Sequence, residues 1–82
     1  MPYVYILRCA DGTLYTGWTM DIAARLAEHN AGRGARYTRG RRPVALVYQE
    51  ELPTQAEAIR RERALQRLRR TQKLALIAAQ RG

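Results

Sequence analysis

An α+β fold is predicted for this chain, a three-stranded antiparallel sheet flanked by about three helices in the order β-β-α-β-α-α, and three observations predict it. Residues 3–9 (YVYILRC) and 13–19 (TLYTGWT) are β-branched and aromatic on either side of Ala10-Asp11-Gly12, the pattern of a hairpin. Val44 to Tyr48 (VALVY) is a third extended run, apolar enough to lie inside a sheet. Between and after these runs, apolar residues return every three or four places, the period of a helix.

The hairpin has two candidate registers. If Asp11-Gly12 alone is the loop, Ala10 pairs with Thr13, and Tyr5 and Tyr15 point to opposite faces. If Ala10, Asp11 and Gly12 form the loop with Gly12 left-handed, Cys9 pairs with Thr13, Tyr5 faces Gly17 and Leu7 faces Tyr15. The second register puts both tyrosines on one face and gathers Val4, Ile6, Leu14 and Trp18 on the other. It also gives Gly17 a purpose, because a missing side chain beside Tyr5 leaves room for a ligand. The second register is preferred.

A first helix should start at Asp21, which can cap it, bury Ile22, Ala23 and Leu26, and end at Asn30-Ala31-Gly32. Residues 32–43 read as a glycine- and arginine-rich loop closed by Pro43. Thr54 and Glu57 form a capping-box signature for a second helix running to about Arg69. Thr71 can cap a third, which carries Leu74, Ile77 and Ala78. With 82 residues and no linker or repeat, residues 1–82 are expected to form a single domain.

Composition narrows the function. Fourteen arginines and one lysine against seven carboxylates give a net charge of +8, so polyanions are the natural partners. The planar fork of arginine suits phosphate, although a GC-rich genome raises the arginine to lysine ratio as well. Cys9 is the only cysteine, which excludes an intrachain disulfide and a cysteine-based zinc cage and reads as core packing in a reducing compartment. No apolar run is long enough to span a bilayer and no signal-peptide layout is present, so no membrane partner and a cytoplasmic location are expected.

Among the charged residues Glu62 stands out. It lies four after Ala58, three after Ile59 and three before Leu65, in the apolar stripe of its helix. A carboxylate there is a metal ligand or other functional group, a partner for a buried arginine, or exposed because the stripe is misplaced. One carboxylate suffices for magnesium, which keeps several waters and completes its shell with substrate phosphate. Arg25 and His29, four apart, share one helical face at the border of the stripe. Taken singly, each has a bland reading: a solvated arginine, a surface histidine near a helix end, and for Tyr5 and Tyr15 the aromatic filler of a chain without phenylalanine. In the loop, Arg33, Arg36, Arg39, Arg41 and Arg42 alternate with glycines and Tyr37, a composition suited to phosphate contact and one stacked base. The arginines between positions 60 and 70 spread around more than one face, so only a subset can reach one ligand.

Tyr3-Val4-Tyr5, Tyr15-Thr16-Gly17, Arg25, His29 and Glu62, in this order and spacing, resemble the core of the GIY-YIG nucleases, and the likeness runs from Tyr3 to about Leu76. It is similar to small stand-alone bacterial domains of that family related to the structure-specific enzymes that resolve branched DNA. The resemblance implies a divalent-metal-dependent DNA endonuclease, cytoplasmic, hydrolysing phosphodiester bonds in repair or recombination. It further implies that Glu62 holds one Mg2+ or Mn2+ ion, that Tyr15 assisted by Tyr5 deprotonates or orients the attacking water, and that Arg25 neutralises charge on the phosphate. His29 is implied as a proton relay or phosphate holder. Trp18 stands where the excision-repair branch has lysine, which leaves that task to His29, and the asparagine some members carry after the glutamate is absent. Gly17, Arg33, Arg36, Tyr37, Arg39, Arg41 and Arg42 are the expected nucleic-acid-binding residues, with a protein partner as a further source of specificity. The alternative is a non-catalytic nucleic-acid-binding module that retains the fold.

Overall fold

The hairpin closes through three residues. In the computed structural model, which describes residues 1–81, the Cys9 N–H donates to the Thr13 carbonyl at 2.8 Å and the Gly12 N–H to the Cys9 carbonyl at 2.9 Å. Gly12 takes φ of +85°, a region closed to most side chains, which is what a three-residue loop demands. The strands it joins are β1 (Tyr3–Arg8) and β2 (Leu14–Thr19), with Tyr5 opposite Gly17 and Leu7 opposite Tyr15. The preferred register is therefore the observed one.

The helix that follows, α1 (Ile22–Asn30), starts where Asp21 accepts a hydrogen bond from the Ala24 N–H and stops in a paired C-terminal turn. There the Gly32 N–H bonds the His29 carbonyl and the Arg33 N–H bonds the Glu28 carbonyl, with Gly32 left-handed at φ +82°. Ile22 and Leu26 face the sheet as expected, whereas Ala23 is exposed and the third inward position belongs to His29. The segment expected to be all loop contains one short helix, α2 (Arg36–Arg39). The third strand, β3 (Ala45–Glu51), begins one residue later than expected and runs three residues further. It continues because Glu50 has partners within the fold, the Tyr48 hydroxyl at 2.7 Å and the Arg61 guanidinium at 3.0 Å.

Helix α3 (Gln55–Gln66) carries the expected capping box, with the Thr54 hydroxyl accepting from the Glu57 N–H at 3.2 Å. It ends at Gln66 rather than near Arg69, and α4 (Arg70–Arg81) begins one residue ahead of Thr71, which is therefore not its cap. The side chain of Gln72 serves the start of α4 instead, accepting from the Arg69 N–H at 2.8 Å. Among the described residues there are thus four helices where about three were expected.

The sheet order is β2-β1-β3, all antiparallel, which leaves β1 in the centre with both faces covered. Val4 and Ile6 point into a core built with Tyr48, Ala58, Leu65 and Ile77 under α3 and α4. Tyr5, Leu7 and Cys9 point the other way, against Val44, Ile22 and Leu26 under α1. A register shift between Ile6 and Leu7 inserts Val47 as an extra residue in β3, so that Val47 and Tyr48 both pack on the α3/α4 side. The free edge of β3 is closed by Gln80, whose amide bonds both the N–H and the carbonyl of Gln49 at 3.1 and 2.7 Å. No helix of the described residues is long and apolar enough to cross a membrane.

Gly12 and Gly40 separate backbone strain from packing, because a Cβ at either would meet nothing within 4 Å. Gly12→Ala, at positive φ, is expected to lower unfolding free energy by about 1 to 2 kcal/mol. Gly40→Ala, at φ −92°, should change it by less than about 0.5 kcal/mol. Urea denaturation of the two variants measures both.

Candidate active site

On the α1 side of the sheet one aromatic group organises the surroundings. Tyr5 is 3% exposed and its hydroxyl lies over Gly17, where a Cβ would stand only 2.5 Å from the phenol oxygen. The space that Gly17 leaves is filled by Tyr5 itself, so it is not the ligand space expected from the sequence. The same hydroxyl is 2.9 Å from Nε2 of His29. His29 is fully buried, so both of its nitrogens are met by groups of the protein. Its other nitrogen, Nδ1, is 2.8 Å from the hydroxyl of Thr38 in α2, itself fully buried. Gly34 lies flat against the imidazole, in a space where any Cβ would collide with the ring.

Tyr15, half-buried on β2, completes the aromatic group. Its ring lies 6.5 Å from that of Tyr5, 5.3 Å edge-on from that of His29 and 5.8 Å from that of Tyr37, on which it stacks. No hydrogen bond holds the Tyr15 hydroxyl among the described residues, in contrast to the bonded hydroxyl of Tyr5. Arg25 comes from α1 one turn before His29 and stands beside the Tyr5 hydroxyl, with only a long contact to Glu28 at 3.4 Å.

Glu62 is half-buried on α3 and has neither a hydrogen bond nor an ion pair among the described residues, so the buried-arginine partner allowed by the sequence is not there. Its charge reaches across to the tyrosines and raises the pKa of both. Burial is the larger cause of those upward shifts, and the Arg25 guanidinium pulls both phenols back down. Burial likewise raises the Glu62 carboxyl above its ordinary value, and burial followed by the Arg25 charge holds His29 below its own. The site therefore holds a neutral imidazole, two protonated phenols, the Arg25 guanidinium and a carboxylate with no ion-pair partner among the described residues.

The loop arginines divide into two kinds. Arg41 donates to Asp11 at 2.9 Å and to the Tyr37 carbonyl at 2.7 Å, and its guanidinium lies 4.1 Å over the Tyr37 ring. Arg42 donates to the Arg39 carbonyl at 2.8 Å. These two hold the loop together, while Arg33, Arg36 and Arg39 are exposed and their side chains make no hydrogen bond among the described residues. Tyr37 is partly committed as well, stacked with Tyr15 and covered by Arg41. Sequence reasoning missed Thr38 and Gly34, which serve His29. The available signal was a lone threonine and a glycine inside an arginine-rich stretch.

The GIY-YIG catalytic domain matches residues 1–75 of this chain. The chain belongs to the GIY-YIG family. It is 55% identical over 75 residues to a UPF0213 protein of Staphylococcus haemolyticus, covering 92% of each chain. It is 54% identical over 76 residues to a UPF0213 protein of Halobacterium salinarum, covering 93% of this chain and 99% of the relative. Among solved structures, the solution NMR structure of a UPF0213 protein from Bacillus halodurans superposes with a TM-score of 0.62 at 45% identity, over 96% of this chain and 85% of that one. In GIY-YIG terms Tyr5 closes the first triplet and Tyr15 opens the second, and the three-residue turn brings them to one face.

Burying a neutral histidine makes stability pH-dependent in a defined sense. The unfolded imidazole takes up its proton near 6.5 and the folded one resists it, so its contribution is fully present above 6.5 and is lost as pH falls below that value. Glu62, with a raised pKa, acts in the opposite sense and gains stability as it is protonated. Between pH 7.5 and 5.5 the protein is expected to lose unfolding free energy with a slope approaching, at most, about 1.4 kcal/mol per pH unit. In His29→Asn that slope should be flatter, measured by urea denaturation across the interval.

Proposed function

We propose that this GIY-YIG domain is a divalent-metal-dependent endonuclease that hydrolyses one phosphodiester of DNA per encounter, in repair or recombination. The observation that carries this reading is the pairing of the Tyr5 and Tyr15 rings 6.5 Å apart on one face of the sheet, with Arg25 beside the Tyr5 hydroxyl and Glu62 near enough for its charge to act on both phenols. Glu62 suits a cation, being a half-buried carboxylate without a hydrogen-bond partner among the described residues, raised in pKa by desolvation. No cluster of three or more histidine, cysteine or carboxylate side chains gathers among the described residues, so a cation at Glu62 would be held by that one carboxylate, with water and phosphate supplying the rest of its shell. A magnesium or manganese ion held there would act as a Lewis acid on the phosphate and cancel the carboxylate charge that helps to keep both phenol pKa values high.

The remaining work belongs to the chain's own groups. Tyr15, half-buried and with no hydrogen bond to its hydroxyl among the described residues, is placed to orient the attacking water and, once it has lost its own proton to solvent, to accept the water's proton as the phenolate. Arg25 stands at the same point with a fixed positive charge that favours a phenolate and neutralises charge growing on the phosphoryl oxygens. Tyr5 and His29 form the buried wall behind them. Exposed Arg33, Arg36 and Arg39 supply backbone contacts to the DNA, and the choice of substrate comes from this loop or from a partner protein.

Nicking of duplex, flap and forked DNA with and without Mg2+ or Mn2+ tests the reading. Glu62→Ala and Tyr15→Phe should each lower the cleavage rate at least about a hundredfold while duplex affinity stays within about threefold. Activity that survives both substitutions contradicts the assignment. Metal-independent binding without cleavage of any of the three substrates would instead make the chain a nucleic-acid-binding module.

A further inference from the structure

The hydrogen bonds around His29 decide which of its nitrogens carries the proton, and two separate ends of the network give the same answer. At one end Thr38 has a single hydroxyl proton and two neighbours, the Ala35 carbonyl at 3.0 Å and Nδ1 of His29 at 2.8 Å. The Ala35 carbonyl can only accept, and it takes the Thr38 hydroxyl proton beside the Thr38 N–H at 3.2 Å, which leaves the Thr38 oxygen to accept from Nδ1–H. The Ala35 N–H also points at this nitrogen, at 3.4 Å; this longest of the three contacts is the one the Nδ1–H tautomer gives up. At the other end the Tyr5 hydroxyl has one hydrogen-bond partner among the described residues, Nε2 of His29 at 2.9 Å, with the Arg25 guanidinium beside it. Arg25 has only donors, so the Tyr5 proton has one acceptor, and Nε2 must be bare to receive it.

We infer that Thr38 is a positioning residue, fixing His29 as the Nδ1–H tautomer so that Tyr5 donates inward and presents its oxygen to the site only as an acceptor. The chain of bonds runs from the Tyr5 hydroxyl to Nε2, through the ring to Nδ1, on to the Thr38 oxygen and finally to the Ala35 carbonyl. Gly34 keeps α2 close enough for this contact, because any side chain there would push the segment off the imidazole. With the opposite tautomer Tyr5 would receive a second donor, and its own proton would have to point at Arg25 or toward the substrate. Thr38 touches neither substrate nor metal in this scheme and acts only through the orientation of a buried ring. Its relevance to cleavage rests on the nuclease reading, whereas the tautomer itself is a property of the chain alone.

His29 is the only histidine, so a long-range 1H–15N correlation spectrum of the imidazole at pH 8, without metal or DNA, reads the tautomer unambiguously. The wild type should show Nδ1 protonated and Nε2 unprotonated. Thr38→Ser, which keeps the hydroxyl, should give the same pattern, and Thr38→Val should shift the population toward Nε2–H. A wild-type spectrum with Nε2 protonated overturns the inference, as does a folded Thr38→Val with an unchanged Nδ1–H signal. If Thr38→Val does not fold, the wild-type and Thr38→Ser spectra decide alone, and a changed tautomer in Thr38→Ser counts against it. In the cleavage assay Thr38→Val should lower kcat at least about tenfold with little change in KM, and Thr38→Ser should restore it. Absent cleavage with the expected spectra would overturn the nuclease reading and leave the tautomer assignment standing.

Discussion

His29 is the point at which three otherwise separate segments are joined. An imidazole with no exposed surface must satisfy both nitrogens inside the protein or carry a penalty of about 1 to 3 kcal/mol for each one left bare. Tyr5 from the central strand satisfies one and Thr38 from the short α2 satisfies the other. The consequences spread outward from there. Tyr5 is held over Gly17, α2 is held against α1 across Gly34, and Tyr37, one residue before Thr38, is delivered to the face of Tyr15. The loop carrying Arg33, Arg36 and Arg39 is thereby anchored at its centre and free at its charged surface.

The electrostatics of the site follow from the same burial. Desolvation opposes charge on every titratable group in it, raising Tyr5, Tyr15 and Glu62 and lowering His29. Arg25 is the one fixed charge that works against this for the tyrosines, and it also helps to keep His29 neutral. Glu62, within electrostatic reach of both phenols, has neither a hydrogen bond nor an ion pair among the described residues, so its carboxylate oxygens are open to a cation. In the proposed reaction that open carboxylate, more than the excess of arginine elsewhere, connects the fold to phosphoryl chemistry. Several arginines serve the structure itself: Arg41 and Arg42 tie the loop, Arg61 pairs with Glu50, and Arg70 bonds the Gly12 carbonyl.

The hairpin was legible in the sequence because a period of two leaves few choices. Only the three-residue turn puts Tyr5 and Tyr15 on one face and Val4, Ile6, Leu14 and Trp18 on the other. Glu62 was legible for a related reason, as a carboxylate in an apolar stripe at a period of 3.6. The break between α3 and α4 was not, since residues 67–69 contain neither glycine nor proline, and Gln72 supplies the N-terminal bond from inside the next helix. The burial of His29 was also illegible. Position on α1 placed it at the border of the stripe, and only Thr38, nine residues on in a segment without periodicity, turns that border into an interior. Local patterns specify faces, whereas a polar residue is buried only when a distant partner arrives to satisfy it.

In the proposed site Glu62 and the two tyrosines form one metal-bearing surface. That arrangement is tested most directly by titrating Mn2+ into uniformly 15N- and 13C-labelled protein and mapping the paramagnetic broadening. The expected result is loss of signal centred on Glu62 and extending to the side chains of Tyr5, Tyr15 and Arg25, with Glu57 and Asp11 unaffected. Broadening centred on those other carboxylates, or none at the tyrosines when Glu62 is saturated, would contradict it.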